Sequence, residues 1–261
     1  MATHAHRDVV QRTATEGIAP MDRPGLLLRF FMGVVQFAER LNLRYAKFGN
    51  PCIYDNDLFP WVAAIESNWT AIRSELDLVL MRRDALPNIQ DITADARAIT
   101  KDAGWKTFLL VAYGIRSEPN IKLCPHTWKI VNQIPGLKTA MFSVFEPGKR
   151  LPPHRGPYNG VLRLHLGLLV PEHGDNLGIR IGPERRSWNE GKVLIFDDAY
   201  EHEAWNETDK PRVVLFVDFE KPLRFPVNII NRALLGLAAL TPYLREGKDN
   251  LRRWERQFHS K

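Results

Sequence analysis

Residues 153–170 read PHRGPYNGVLRLHLGLLV. Within these eighteen positions stand two histidines and two arginines. From Leu162 the stretch alternates: Leu162, Leu164, Leu166 and Leu168 fall on one side, and Arg163, His165 and Gly167 on the other. A strand sends successive side chains to opposite faces. The pattern is therefore a buried-type strand that carries an arginine and a histidine together on one face. His154 precedes them by nine and eleven residues, in the expected loop before the strand.

The texture around this stretch is β. From Thr139 onward, TAMFSVFEPG, VLRLHLGLLV, LGIRIG, KVLIFDD, HEAWN and RVVLFVDF follow one another, separated by Gly, Pro, Asn and Asp. Turn signals at intervals of about eight to twelve residues predict an antiparallel sandwich or barrel. WKTFLLVAYG (105–114) predicts one more strand upstream. Helices are predicted at the two ends. GLLLRFFMGVVQFA (25–38) opens a helix over 25–45, and Leu58, Trp61, Val62, Ile65 and Trp69 recur at three- and four-residue steps within 58–81. A weak helix is expected near 92–98 and a short one over 123–136. Beyond residue 226, Val227, Ile230, Leu234, Leu237 and Leu240–Thr241 offer one apolar stripe, and Leu251, Trp254 and Phe258 another.

Composition narrows the class. A chain of 261 residues, 44% hydrophobic, is long enough for one large domain with a sizeable core. Two cysteines, Cys52 and Cys124, make no disulfide framework and fit a reducing compartment. The first twenty residues lack the apolar stretch of a secretory signal. The apolar run after Gly25 is broken by Arg29 and falls short of the roughly twenty residues that a span needs. Residues 221–261 hold nine Lys/Arg and three Asp/Glu, which accounts for the whole net charge of +6. That tail mixes acids with its bases and carries no nucleic-acid-binding motif, so no nucleic acid partner is expected.

The polar groups on inward positions form a constellation. His202 follows IFDDAYE, and Arg212 opens the next segment after the short polar connection NETDKP. A hairpin there is the expectation, bringing Arg212 near His202. A buried guanidinium keeps its charge and needs an anion. Two buried arginines imply either two internal carboxylates or a dianionic ligand. Two neutral imidazoles from different strands suit a borderline divalent metal. A metal beside two arginines is an arrangement for a chelating oxo-acid. Any one such histidine is more simply a satisfied core residue, but unpaired buried charge is expensive, and four of these groups converge.

HRGPYNGVLRLHLGLLVP, GKVLIFDDAYEHEAWN and RVVLFVDF together resemble the aspartyl/asparaginyl β-hydroxylase family over about residues 100–220, with weaker echoes in 52–80. The resemblance implies a mainly β chain with flanking α-helices, its core a double-stranded β-helix (a cupin-like jelly roll), and an Fe(II)- and 2-oxoglutarate-dependent dioxygenase that consumes O2. It implies His154 and His202 as iron ligands and catalytic residues. Arg163 and Arg212 would hold 2-oxoglutarate, His165 would contact it, and the Ser143 hydroxyl would line its site. In the wider superfamily a carboxylate two residues after the first histidine completes the metal site; here that position is Gly156, which agrees with the narrower family. Asp197, Asp198, Glu201 and Glu203 are expected to be turn and supporting residues, with a water-mediated carboxylate as the alternative.

The expected division is a mobile polar segment over 1–22, a helical extension over 23–100, the dioxygenase domain over 101–222 and basic amphipathic helices over 223–261. The family's protein-modifying branch generally carries helical repeats, and residues 1–100 show none. Its short bacterial branch hydroxylates acyl chains of membrane lipids of lipid A or ornithine lipid type, and that is the expected substrate class. The alternatives are a peptide or amino-acid β-hydroxylase and a non-catalytic, metal-binding cupin-like protein. Residues 226–261 and 25–45 suit peripheral contact with an anionic membrane; packing on the barrel is the competing reading. The expected location is the cytoplasm, at the inner face of the membrane in the first case.

Overall fold

Both faces of the 161–169 strand are buried, and that explains its polar side. The computed structural model describes residues 26–93, 96–171, 174–238 and 242–260. In chain order they form α1 (Leu26–Tyr45), β1 (Ile53–Tyr54), α2 (Val62–Ser67), α3 (Trp69–Leu80), α4 (Ile89–Ile92), α5 (Ala96–Ile99), β2 (Trp105–Ala112), β3 (Ile115–Arg116), α6 (Glu118–Leu123), α7 (Pro125–Val131), β4 (Leu137–Phe145), β5 (Lys149–His154), β6 (Val161–Leu169), β7 (Leu177–Ile181), β8 (Glu184–Arg186), β9 (Val193–Phe196), β10 (His202–Asn206), β11 (Arg212–Glu220), α8 (Val227–Ala238) and α9 (Pro242–His259). The stretch 1–22 and the Leu240–Thr241 pair lie outside the described residues.

The strands form two antiparallel sheets. The larger runs β1-β9-β6-β11-β4-β2-β3 and the smaller β5-β10-β7-β8. One core lies between the sheets, where Met141, Phe145, Val214 and Phe216 meet Leu151, Ile179 and Ala204. The other lies outside the larger sheet. There Leu162, Leu164, Leu166 and Leu168 pack with Val213, Leu215 and Val217 against Val62 and Ile65 of α2 and Ile72 and Leu76 of α3. The leucine face of β6 thus points at the helical layer, and its Arg163/His165 face points into the jelly-roll interior. Each of those leucines is fully buried and contributes about 1.5–3 kcal/mol. Gly167 is where β6 must be bare: a Cβ there would lie 2.2 Å from the Asn189 carbonyl oxygen.

Period two carries the same logic across the larger sheet. Ser143, Arg212, Phe216 and Asp218 occupy the interior face of β4 and β11, and register sets Asp218 opposite Arg163, Phe216 opposite His165 and Arg212 opposite Phe145.

Three expectations change. His154 is not in a loop: it is the last residue of β5, a strand whose sequence, KRLPPH, is masked by two prolines. β10 and β11 are not a hairpin; residues 207–211 cross from the smaller sheet to the larger. The buried stripe of α8 is Val227, Asn231 and Leu235, while Ile230 and Leu237 are exposed. By contrast Leu251 and Phe258 of α9 are buried as the periodicity predicts, and Trp254 packs against Phe258 and meets Phe108 edge to face. The Trp254 indole N–H also donates to the Ala85 carbonyl at 2.8 Å. The apolar face of α9 is covered by its own fold, and Arg252, Arg253 and Arg256 point to solvent.

Candidate active site

The end of β5 meets the start of β10. His154 pairs with His202 in register, and their ring centroids are 4.2 Å apart. Nδ1 of His154 lies 2.8 Å from the Pro152 carbonyl, and Nδ1 of His202 lies 2.9 Å from the Tyr200 carbonyl. A carbonyl only accepts, so each Nδ1 donates its proton and each Nε2 keeps a lone pair for a metal. Burial lowers the pKa of both rings, and the nearby positive charge of Arg163 adds to the effect. Both are therefore neutral imidazoles, the form that ligates.

β6 and β11 bring the other groups. Trp188 donates its indole N–H to Nδ1 of His165 at 3.2 Å. That bond places the His165 proton on Nε2, which is buried and has no partner. Burial first, then Arg212 and Arg163, hold His165 well below its ordinary pKa. Arg212 is 1% exposed, and Nε and Nη1 of its guanidinium have no acceptor. The group lies 3.8 Å from the Phe145 ring centroid and 4.4 Å from that of Trp188. Ser143 Oγ accepts the Trp105 indole N–H at 3.0 Å, which leaves the hydroxyl proton free to donate inward.

Sequence reasoning treated the two arginines alike, and the structure separates them. Arg163 already holds two carboxylates: its Nε donates to Asp218 at 2.8 Å, and its Nη2 reaches Asp198 at 3.0 Å. Arg212 has aromatic rings and no acid. Both branches offered by the sequence are therefore present, internal carboxylates for one arginine and an unanswered charge for the other.

Ser143, His154, Arg163, His165, His202 and Arg212 all line one narrow chamber of ≈ 30 Å³. It shares Trp105, His154, Arg163 and Phe216 with a second cavity of ≈ 400 Å³. Ile89, Ile92, Ile99, Leu109, Ile115 and Leu251 give that larger cavity an apolar wall.

The donor set fits the implied groups. Buried N–H groups without acceptors are costly, and a dicarboxylate supplies the missing oxygens. No cluster of three or more His, Cys, Asp or Glu able to hold a metal occurs among the described residues. A metal on the histidine pair would take its remaining ligands from cosubstrate and solvent. Of the four acids near His202, Asp197 pairs with the buried Lys221 at 2.7 Å, and Glu201 and Glu203 pair with Arg180. Asp198 is the one left beside the site. It faces the larger cavity with His154, and its Oδ1 has no partner.

Trp188, Asp218, Trp105 and Phe145 were not recognised as site residues from sequence. Asp218 had a readable signal, an acid in phase with Arg212 on a strand face otherwise apolar. Trp188 sits in irregular chain and offers none. Replacing Trp188 with phenylalanine keeps most of the packing and removes the bond that fixes the His165 tautomer. We expect affinity for a dicarboxylate such as 2-oxoglutarate to fall about five- to tenfold, and stability to fall by about 1–3 kcal/mol because the buried His165 Nδ1 loses its donor. Titration calorimetry with the anaerobic protein checks this; unchanged affinity would remove Trp188 from any such role.

An ornithine lipid ester-linked acyl 2-hydroxylase of Rhizobium tropici is 60% identical over 250 residues, covering 96% of this chain and 89% of that protein. The human aspartyl/asparaginyl beta-hydroxylase is 35% identical over 166 residues, 62% of this chain but 21% of the human protein. An aspartate beta-hydroxylase domain-containing protein 2 of Xenopus tropicalis is 32% identical over 174 residues, 62% of this chain and 44% of its own. Residues 66–222, which include the six site residues expected from the sequence, match the family model described as Aspartyl/Asparaginyl beta-hydroxylase, and the chain belongs to that family.

Proposed function

We propose that this chain is an Fe(II)- and 2-oxoglutarate-dependent hydroxylase of a membrane-lipid acyl chain, of the ornithine lipid type. The observation that carries the cofactor assignment is Arg212, a buried guanidinium without an acid, in the chamber lined by the histidine pair. The chemistry such a centre supplies is oxidative decarboxylation of 2-oxoglutarate to succinate and CO2, coupled to insertion of one oxygen atom of O2 into a C–H bond.

The chain's own residues have distinct tasks in this reading. His154 and His202 would hold the iron through their Nε2 lone pairs. Arg212 and the Ser143 hydroxyl would bind one carboxylate of the cosubstrate, and the His165 Nε2–H would donate to it from the side. Arg163, held by Asp198 and Asp218, would supply positive potential and a fixed wall. Asp198 would accept a hydrogen bond from water on the open side of the histidine pair. The packed rings of Trp188, Phe145 and Phe216 exclude other water, which strengthens each of these bonds.

The substrate assignment rests on the 60% identical acyl 2-hydroxylase and on the apolar cavity beside His154, whose isoleucine and leucine walls suit a methylene chain better than a polar peptide. Anaerobic protein loaded with Fe(II) and 2-oxoglutarate is expected to show the visible charge-transfer band of the chelate. On admission of air with dispersed ornithine lipid, it should release succinate in step with a lipid that has gained one oxygen atom. Succinate coupled to a peptide aspartate and not to lipid would move the assignment to the other branch. A folded protein that shows no band and makes no succinate would leave a non-catalytic metal protein.

A further inference from the structure

The strongest unexplained surface lies on α1 and α8. Of twelve large apolar side chains exposed among the described residues, eight lie on these two helices or on Phe225, which leads into α8. Phe30, Phe37, Ile229 and Leu237 are each more than half exposed. Scattered single side chains of this kind need no explanation, but a cluster on two touching helices does. The helices touch through Asn42 and Asn231, with Ala46, Leu223 and Val227 packed between them and Leu41 and Tyr45 alongside.

Charge indicates what covers the surface. On α1, Phe30, Val34 and Phe37 recur at helical spacing, and at 100° per residue Arg29, Arg40 and Arg44 align along one flank of that stripe. Glu39 is the one acid of α1 and is partly buried; α8 has none. An apolar helical face with a basic flank suits the interface of an anionic bilayer. No described helix is long and apolar enough to cross a membrane. A copy of the same surface would bring like charges together.

The surface is also tied to the active site. Asn42 donates to Tyr158 and Asn159 at 3.0 Å, the Asn159 amide donates to the Glu39 carbonyl at 3.1 Å, and Asn231 donates to the Gly160 carbonyl at 2.8 Å. The segment thus clamped, 155–160, leads from His154, and its residues Arg155, Gly156 and Pro157 line the apolar cavity. We propose that the exposed faces of α1 and α8 dock into the surface of an anionic phospholipid bilayer and hold the cavity against it. The proposal rests on the lipid reading of the active site and places its membrane contact on α1 and α8, with α9 packed on the barrel.

The test is flotation of the full chain with vesicles of phosphatidylcholine plus phosphatidylglycerol, and of phosphatidylcholine alone. The parent should bind the anionic vesicles and lose them at high salt. A Phe30→Gln, Phe37→Gln, Ile229→Gln variant should bind at least about tenfold more weakly. Arg40→Ala should cost about fivefold. Because these side chains are exposed, melting temperature should not change. Binding that survives both variants overturns the proposal, as does a parent that is dimeric by light scattering with a monomeric triple variant. Succinate formation on a short-chain, monomerically dispersed lipid separates this from the substrate reading. If that turnover persists while vesicle binding ignores the surface, only the docking fails. If vesicles bind through the surface but no lipid supports turnover, only the substrate reading fails.

Discussion

Arg212→Met should make the cofactor-free protein more stable and abolish its response to 2-oxoglutarate. The two effects come from one cause. Water is excluded from the Arg212 guanidinium, and no carboxylate replaces it. Burial pulls its pKa down to about 9, yet it still carries its proton at neutral pH. The rings of Phe145 and Trp188 repay part of the desolvation, about 2 kcal/mol for a desolvated cation–π pair. The penalty for a buried ion is several kcal/mol, so a net cost remains in the cofactor-free state. Methionine fills similar space without that cost and packs well against aromatic rings. We expect a gain of about 1–4 kcal/mol, read at about 2–4 °C of melting temperature per kcal/mol.

In the parent, a dicarboxylate that answers the charge should itself stabilise by about 2.7 kcal/mol at a hundredfold excess over its dissociation constant. In Arg212→Met that shift should vanish, with affinity reduced by about two orders of magnitude or more, since charged hydrogen bonds are worth about 1.5–3 kcal/mol each. Scanning calorimetry with and without 2-oxoglutarate and iron reads both effects. A variant that is less stable than the parent and still stabilised by 2-oxoglutarate would show that Arg212 is structural, and the main support for the proposed cosubstrate would be gone.

The reason so much of this site was legible is its periodicity. Side chains on a strand alternate, so Arg163 and His165 had to share a face, while Ser143 and the role of Arg212 came from the resemblance. The resemblance then joined His154 to His202. What period two does not encode is which layer each face meets. The leucines of β6 pointed at helices and the arginine at the barrel interior because α2 and α3 cover the larger sheet, and that is a property of tertiary packing. β5 was invisible because two prolines break its pattern, which an edge position tolerates; it is the edge strand of its sheet. The hairpin expected between His202 and Arg212 failed for a related reason. A short polar connection has the same composition whether it turns back within a sheet or crosses to the other one. The C-terminal helices showed the limit of amphipathicity: α9 buries Leu251 and Phe258 on the barrel, whereas α8 buries Val227 and Leu235 and leaves Ile229, Ile230 and Leu237 exposed.

Gly156 offers the sharpest steric prediction. It stands where the wider superfamily places its third metal ligand, and an aspartate there would be the natural attempt to restore one. The structure says the attempt fails. A Cβ on residue 156 would lie 2.3 Å from Oδ2 and 2.5 Å from Cγ of Asp198. The Gly156 N–H also donates to the Asp198 carbonyl at 2.7 Å, so the two segments cannot simply part. Burial has already pushed the Asp198 carboxyl up to about 7, against the pull of Arg163. A second carboxylate in that space adds repulsion to overlap. Overpacking costs about 1–3 kcal/mol and an uncompensated buried charge about 3–5. Gly156→Asp should therefore lower the melting temperature by about 10 °C or more, or fail to fold.

The companion variants keep this testable. Asp198→Gly alone should cost little, because Arg163 keeps its two bonds to Asp218. Gly156→Asp with Asp198→Gly should regain most of the lost stability, with a coupling of about 2 kcal/mol or more in the double-mutant cycle. A Gly156→Asp protein as stable as the parent, or a double variant no better than the single, would contradict the geometry. The physical content is that one carboxylate fits at this point of the barrel: it can grow from residue 156, or it can arrive from residue 198 on the arm of Arg163. In this chain Asp198 occupies the space, so a metal on the histidine pair would be held without a carboxylate from residue 156.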